Sequence, residues 1–91
     1  MGDSKITIEI DYMSPKMRQD AIICAKTAVE LYSKYNEIAK YISETFNDMH
    51  GKYWHCIVGN YGTWVWRVDD LHYIKLKWGD NSITLFKAPN S

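Results

Sequence analysis

The sequence predicts an α+β fold with the element order β-α-α-β-β-β-β, in which two helices pack on an antiparallel sheet. Apolar residues alternate with period two near the N-terminus and recur at helical spacing through the middle of the chain. The second half is rich in aromatic and β-branched residues separated by turn signals. Because helical and strand patterns are segregated along the chain, an antiparallel sheet with helices on one side is favoured.

The first strand and the first helix have clear local signals. Ile6, Ile8 and Ile10 alternate with polar residues, which is typical of a half-buried strand. Ser14 followed by Pro15 predicts a helix start, because serine caps a helix N-terminus and proline suits the first helical position. An apolar stripe, which predicts core packing for this helix, consists of Met17, Ala21, Cys24, Ala25, Ala28 and Tyr32.

A break at residues 33–36 separates this helix from a second one. Asn36 is the candidate N-cap, and Glu37 follows in the first turn, where a negative charge favours the helix dipole. Gly51 fits the position just past the helix end. The apolar stripe of the second helix consists of Ile38, Ile42, Thr45, Phe46 and Met49.

Four further strands are predicted at residues 54–58, 63–68, 72–78 and 83–86. The strand at 63–68 is unusual because both of its faces are apolar, with Trp64 and Trp66 on one face and Val65 on the other. Such a strand at a wet edge invites further pairing. It is therefore predicted either to lie in the middle of the sheet or to cross to another chain.

Composition bounds the function. The chain has 91 residues, 11 basic and 11 acidic, so one domain over 1–91 is expected, with a flexible terminus at 1–4. Zero net charge gives no basic patch for nucleic acid, and no apolar run is long enough for direct membrane insertion. Nothing at the N-terminus directs the chain to an oxidising compartment, so Cys24 and Cys56 are expected to be free thiols in the cytoplasm.

No cofactor, metal site or catalytic site is expected. The soft ligands of the second half are His50, His55, Cys56 and His72, and adjacent His55 and Cys56 point to opposite faces of a strand. No third group orients a Cys–His pair, and no glycine-rich phosphate loop is present. An enzyme that uses His55, Cys56 or His72 is the alternative from a different functional class.

Two motifs carry a resemblance to a known family. WHCIVG at 54–59, followed by YGTWV at 61–65, is similar to the signature of the small dimeric dynein light chains. The similarity extends over nearly the whole chain, including DYMS at 11–14, HYI at 72–74 and LFK at 85–87. The resemblance implies a non-enzymatic, strand-exchanged homodimer, in which residues 63–68 complete the sheet of the other subunit.

The resemblance also implies two grooves per dimer, in which partners add a short extended segment as one more strand. The implied partners are the dynein intermediate chain and other proteins with short linear motifs, often with a threonine-glutamine-threonine core. This describes a cytoskeleton-associated hub of microtubule motor complexes. The groove residues carried onto this chain are Tyr35, Asn36, Asn60, Tyr61, Gly62, Thr63, Trp64, Val65, Trp66, Arg67, Tyr73, Lys75 and Lys77; the dimer-interface residues are His55, Thr63, Trp64, Val65, Trp66 and Arg67.

Three groove positions depart from the family. Trp66 stands where the family has a small hydroxyl residue, and Lys75 and Lys77 stand where it has tyrosines. The two lysines are predicted to share one face, where they either favour acidic partner segments or simply keep an outer face soluble. These departures favour an alternative function, a diverged light chain with lineage-specific cytoskeletal or membrane-associated partners.

Overall fold

A computed structural model of the chain describes residues 5–60 and 73–87. Its elements are β1 (Ile6–Tyr12), α1 (Pro15–Leu31), α2 (Tyr35–His50), β2 (Trp54–Gly59), β3 (Tyr73–Trp78) and β4 (Asn81–Lys87). The predicted α+β class and the two adjacent helices are confirmed. The predicted strand at 63–68 and the predicted flexible terminus at 1–4 lie outside the described residues, and strand exchange stays a prediction.

The described strands form one antiparallel sheet in the order β1-β3-β4-β2. The tight turn at Gly79 and Asp80 joins β3 to β4, so this hairpin occupies the centre. β4 pairs with β2 without interruption, whereas the register between β1 and β3 shifts between Ile8 and Ile10. The sheet thus has a regular edge strand, β2, and a bulged one, β1.

The start of α1 confirms the predicted signal. Ser14 has an extended backbone, its hydroxyl oxygen accepts a hydrogen bond from the Met17 amide at 3.3 Å, and Pro15 is the first helical residue. The end of α2 is also as predicted, since Gly51 adopts a φ of 83° that favours glycine.

The predicted cap of α2 is wrong. The N-cap is Lys34, whose side chain makes no capping hydrogen bond, and Asn36 lies inside the first turn. The first helical residue is Tyr35, whose hydroxyl donates to Asn81 Oδ1 at 2.7 Å. α2 therefore starts one residue before the predicted cap, at a residue whose side chain contacts β4.

Both helices cover the same face of the sheet. α2 lies along β2, and α1 packs on α2 and reaches β1 and β3. Phe46 of α2 meets Trp54 of β2 edge to face, with 4.9 Å between ring centroids. The predicted apolar stripes supply most of the core, but Tyr32 and Met49 are exposed. No helix among the described residues is long and apolar enough to cross a membrane.

Replacing Ser14 tests whether its side chain caps the N-terminus of α1. Ser14→Ala removes the oxygen that accepts from the Met17 amide, and we expect the free energy of unfolding to fall by about 1 kcal/mol. Urea denaturation followed by circular dichroism measures the loss. Ser33→Ala, at an exposed position between the helices, is the matched control and should change stability by less than about 0.5 kcal/mol. Equal losses in the two variants would contradict the capping role.

Candidate partner-binding site

The face of the sheet opposite to the helices, called the outer face here, carries side chains from all four strands. On β3, Ile74 and Leu76 belong to the core, so their neighbours in the strand point to the outer face. Strand pairing arranges the outer face in three rows across the sheet. They are Tyr12, Tyr73, Phe86 and His55; Ile10, Lys75, Thr84 and Ile57; and Thr7, Lys77, Ser82 and Gly59.

The first row is aromatic. The rings of Tyr12 and Tyr73 stack with centroids 6.1 Å apart, and those of His55 and Phe86 lie 5.5 Å apart. Tyr73 is buried, and this burial, with smaller contributions from Tyr12 and Glu9, raises the pKa of its phenol. The phenol of Tyr73 is therefore neutral at physiological pH. At the other end of the row, the side chain of His55 is exposed.

The two lysines of β3 share the outer face but differ in environment. The side chain of Lys75 is 2% exposed, and its Nζ lies 3.7 Å from Glu9 Oε1. Lys77 is exposed. The interpretation that both lysines are solvated is therefore wrong for Lys75. The shift between Ile8 and Ile10 makes Glu9 the extra residue of β1 opposite β3, which brings its carboxylate beside Lys75.

The predicted groove residues of α2 lie at its exposed start. Tyr35 and Asn36 are both exposed, and the bond from Tyr35 to Asn81 places the start of α2 beside the first residue of β4. Ser82, the next residue, pairs with Lys77. The structure thus brings the start of α2 and Lys77 to the same end of β4.

Other predicted groove residues lie elsewhere. Tyr73 is four residues from Lys77, about 13 Å along β3, at the opposite end of the strand. Asn60 is exposed and directly follows β2. The predicted groove and interface residues Tyr61, Gly62, Thr63, Trp64, Val65, Trp66 and Arg67 lie outside the described residues, as does His72.

The two edges of the described sheet are chemically different. β1 carries Glu9 and Asp11 and is interrupted by a bulge, and both features protect an edge from further pairing. β2 has no Asp, Glu, Lys or Arg between Trp54 and Gly59 and no bulge, and within 5–60 and 73–87 it pairs only with β4. Among the described strands, β2 therefore lacks the two features, charge and a bulge, that protect β1 from further pairing.

The two cysteines are not placed for nucleophilic catalysis. Burial raises the pKa of Cys24 to about 11 and also raises the pKa of Cys56, so both are thiols rather than thiolates at neutral pH. Cys56 packs against the core while His55 lies on the outer face, so the two do not form a pair.

The remaining soft ligand in the described part of the second half, His50, is engaged elsewhere. Its Nε2 lies 3.0 Å from Asp20 Oδ2. Across 5–60 and 73–87, no three His, Cys, Asp or Glu residues converge as a metal site.

The sequence gives no signal for the contacts that three residues of this region make. Glu9 occupies a polar position of an alternating strand, which normally indicates solvent exposure. Asn81 stands among turn residues, and Phe86 is one of many strand aromatics. Each gains its role from a contact between segments more than 30 residues apart, which local patterns do not encode.

Comparison with known proteins identifies the family. A family model described as dynein light chain type 1 matches residues 5–88, so this chain belongs to the dynein light chain family. A crystal structure of the dynein light chain-like domain of Fasciola hepatica calcium binding protein FhCaBP2 is similar, with TM-score 0.79 and 16% identity over 96% of this chain and 94% of that one. A mercury derivative of the same domain is similar with a TM-score of 0.76 and 15% sequence identity, covering 97% of this chain and 96% of that one. At these identities, the two structures show the shared fold.

The Glu9–Lys75 contact predicts an asymmetric response to mutation. Glu9→Gln removes the carboxylate that lies 3.7 Å from the buried ammonium of Lys75, and we expect it to lower the free energy of unfolding by about 1–2 kcal/mol. Lys75→Met should cost less than about 1 kcal/mol, because Glu9 is 35% exposed and water can solvate its carboxylate. Urea denaturation measures both variants.

The matched control is Glu44→Gln, which removes an exposed carboxylate of α2 and should change stability by less than about 0.5 kcal/mol. An effect of Glu9→Gln no larger than this control, or a larger loss for Lys75→Met than for Glu9→Gln, would contradict the assigned role of the contact.

Proposed function

We propose that this chain is a non-enzymatic homodimeric adaptor that binds short extended segments of other proteins by strand addition and contributes to microtubule motor complexes. Membership of the dynein light chain family supports the light-chain adaptor role. The proposed setting is cytoplasmic and cytoskeleton-associated, as is typical of the family. The proposed partners are a second copy of the chain, the dynein intermediate chain and other proteins with short linear motifs.

The observation that carries the proposal is the character of β2, which among the described strands has neither a charged side chain nor a bulge. Charges and bulges are the features that oppose strand addition, so the sequence and regular pairing of β2 favour it. In the proposed dimer, residues 63–68 of one chain pair with this edge of the other. The exposed ring of His55 and the half-buried side chain of Ile57 then lie at the interface.

The proposed partner groove lies between the exchanged strand and α2. Tyr35 and Asn36 at the start of α2 and Asn60 after β2 border it, and β3 contributes Tyr73 and Lys77. A segment that enters it adds backbone hydrogen bonds, which supply affinity, while side-chain pockets supply specificity. Two grooves related by a two-fold axis favour bivalent partners, since the second binding event becomes intramolecular.

A second candidate function is favoured by the contact between Lys75 and Glu9. The resemblance to the family implies tyrosines at positions 75 and 77, and here position 75 is a buried lysine with Glu9 beside it. A groove with this floor accommodates different side chains from a tyrosine-lined one. The candidate is therefore a diverged light chain that serves lineage-specific cytoskeletal or membrane-associated partners.

A charge placed in β2 tests the proposed dimer. Ile57→Lys puts an ammonium on the edge strand, and we expect it to weaken dimerisation at least tenfold, about 1.4 kcal/mol, in sedimentation equilibrium. Thr7→Lys places the same charge on the exposed outer face of β1 and is the matched control, which should remain dimeric. Circular dichroism of both variants checks that each is folded. A monomeric unmutated chain, or equal weakening by both variants, contradicts the proposed interface.

Peptide titration separates the two candidate functions. A peptide with a threonine-glutamine-threonine core should bind the unmutated chain with Kd below about 100 μM if the chain is an ordinary hub. The control is the same peptide with alanine in place of glutamine. Binding of neither peptide by a chain that is dimeric contradicts the ordinary hub role and favours the diverged light chain.

A further inference from the structure

Lys75 and Lys77 lie on the same face of β3 but differ in how accessible their ammonium groups are to a partner. Lys75 and Lys77 are two residues apart, about 7 Å along the strand, and both point away from the helices. Their chemistry is identical, so any difference in function must come from what surrounds each side chain.

The charge of Lys75 is already engaged within the chain. Its Nζ lies 3.7 Å from Glu9 Oε1, and its side chain is 2% exposed. A carboxylate on a partner would have to reach a buried amine and compete with a carboxylate that the β1 bulge already places beside it. Lys75 is therefore poorly placed to discriminate among partners by charge.

Lys77 has the opposite surroundings. It is exposed, and its neighbours across the sheet are the small neutral residues Thr7 and Ser82. Within residues 5–60 and 73–87, no Asp or Glu oxygen lies within 4 Å of its Nζ. Its positive charge is exposed, and the described part of the chain places no counter-charge within 4 Å of it.

The position of Lys77 connects it to the proposed groove. Its row continues through Ser82 of β4 to Gly59 of β2, two strands away and about 10 Å across the sheet. Exposed Asn60 follows directly, and the start of α2 lies beside Asn81 at the same end of β4. A segment that runs along this end of the sheet passes within reach of a long, flexible lysine side chain.

We propose that Lys77 is a specificity-determining residue that selects partner segments carrying an aspartate or glutamate opposite it, while the Glu9–Lys75 contact withholds Lys75 from the partner. This inference rests on the proposed function, because it concerns the groove in which that function operates. The selected ligand is an acidic extended peptide. The selection is electrostatic and therefore weakens as salt rises.

The test compares two peptides that share a threonine-glutamine-threonine core, one flanked on both sides by aspartates and the other by asparagines. Fluorescence polarisation with the full chain at about 50 mM salt should show the acidic peptide binding about two- to fivefold tighter, a ratio that shrinks at about 300 mM. Lys77→Gln should bring the ratio to about one at either salt concentration. Lys75→Met should keep the ratio of the unmutated chain, whatever it does to overall affinity.

Lys26→Gln, which removes an exposed charge of α1, controls for the change in net charge and should keep the ratio. A preference that survives Lys77→Gln, or one that Lys75→Met or Lys26→Gln abolishes, overturns the assignment. Equal binding of both peptides by the unmutated chain overturns it while leaving strand addition intact. Failure of both peptides to bind contradicts the groove itself, and the assignment falls with it.

Discussion

Alternation of side chains along the central hairpin is the constraint from which the positions of the functional groups follow. Successive residues of a strand point to opposite faces, so Leu76 enters the core only if Lys75 and Lys77 leave it. Both helices lie on the side of Leu76. The groups that the described strands offer to a partner are therefore on the outer face and at the sheet edges.

The bulge in β1 gives Lys75 and Lys77, two lysines on the same face, different surroundings. An amine is buried only at a cost of several kcal/mol unless a carboxylate offsets the lost hydration. The shift between Ile8 and Ile10 supplies that carboxylate, because it inserts Glu9 opposite the segment of β3 that contains Lys75. The same bulge interrupts the regular edge of β1, so one irregularity both places Glu9 beside Lys75 and protects β1 from further pairing.

Local signals predicted the elements that depend on local physics. Ser14 begins α1 because its side chain can cap a helix N-terminus, and Gly51 ends α2 because glycine readily adopts a positive φ. Both are at the predicted positions. Asn36 has the same kind of preference, yet α2 begins earlier, where Tyr35 reaches Asn81, 46 residues along the chain. Capping preferences of about 1 kcal/mol are comparable with one such hydrogen bond, so local pattern alone does not decide between them.

The shared face of Lys75 and Lys77 was predictable from the sequence, whereas the different electrostatic surroundings of the two lysines were not. The alternating pattern correctly placed Lys75 and Lys77 on one face, but a bulge results from pairing between β1 and β3 and leaves no local trace in the sequence. Strand pairing through the backbone is nearly independent of sequence, so strand addition supplies affinity without choosing among partners. Choice must then come from outer-face side chains whose chemistry is not already satisfied within the chain. Lys77 meets that condition and Lys75 does not.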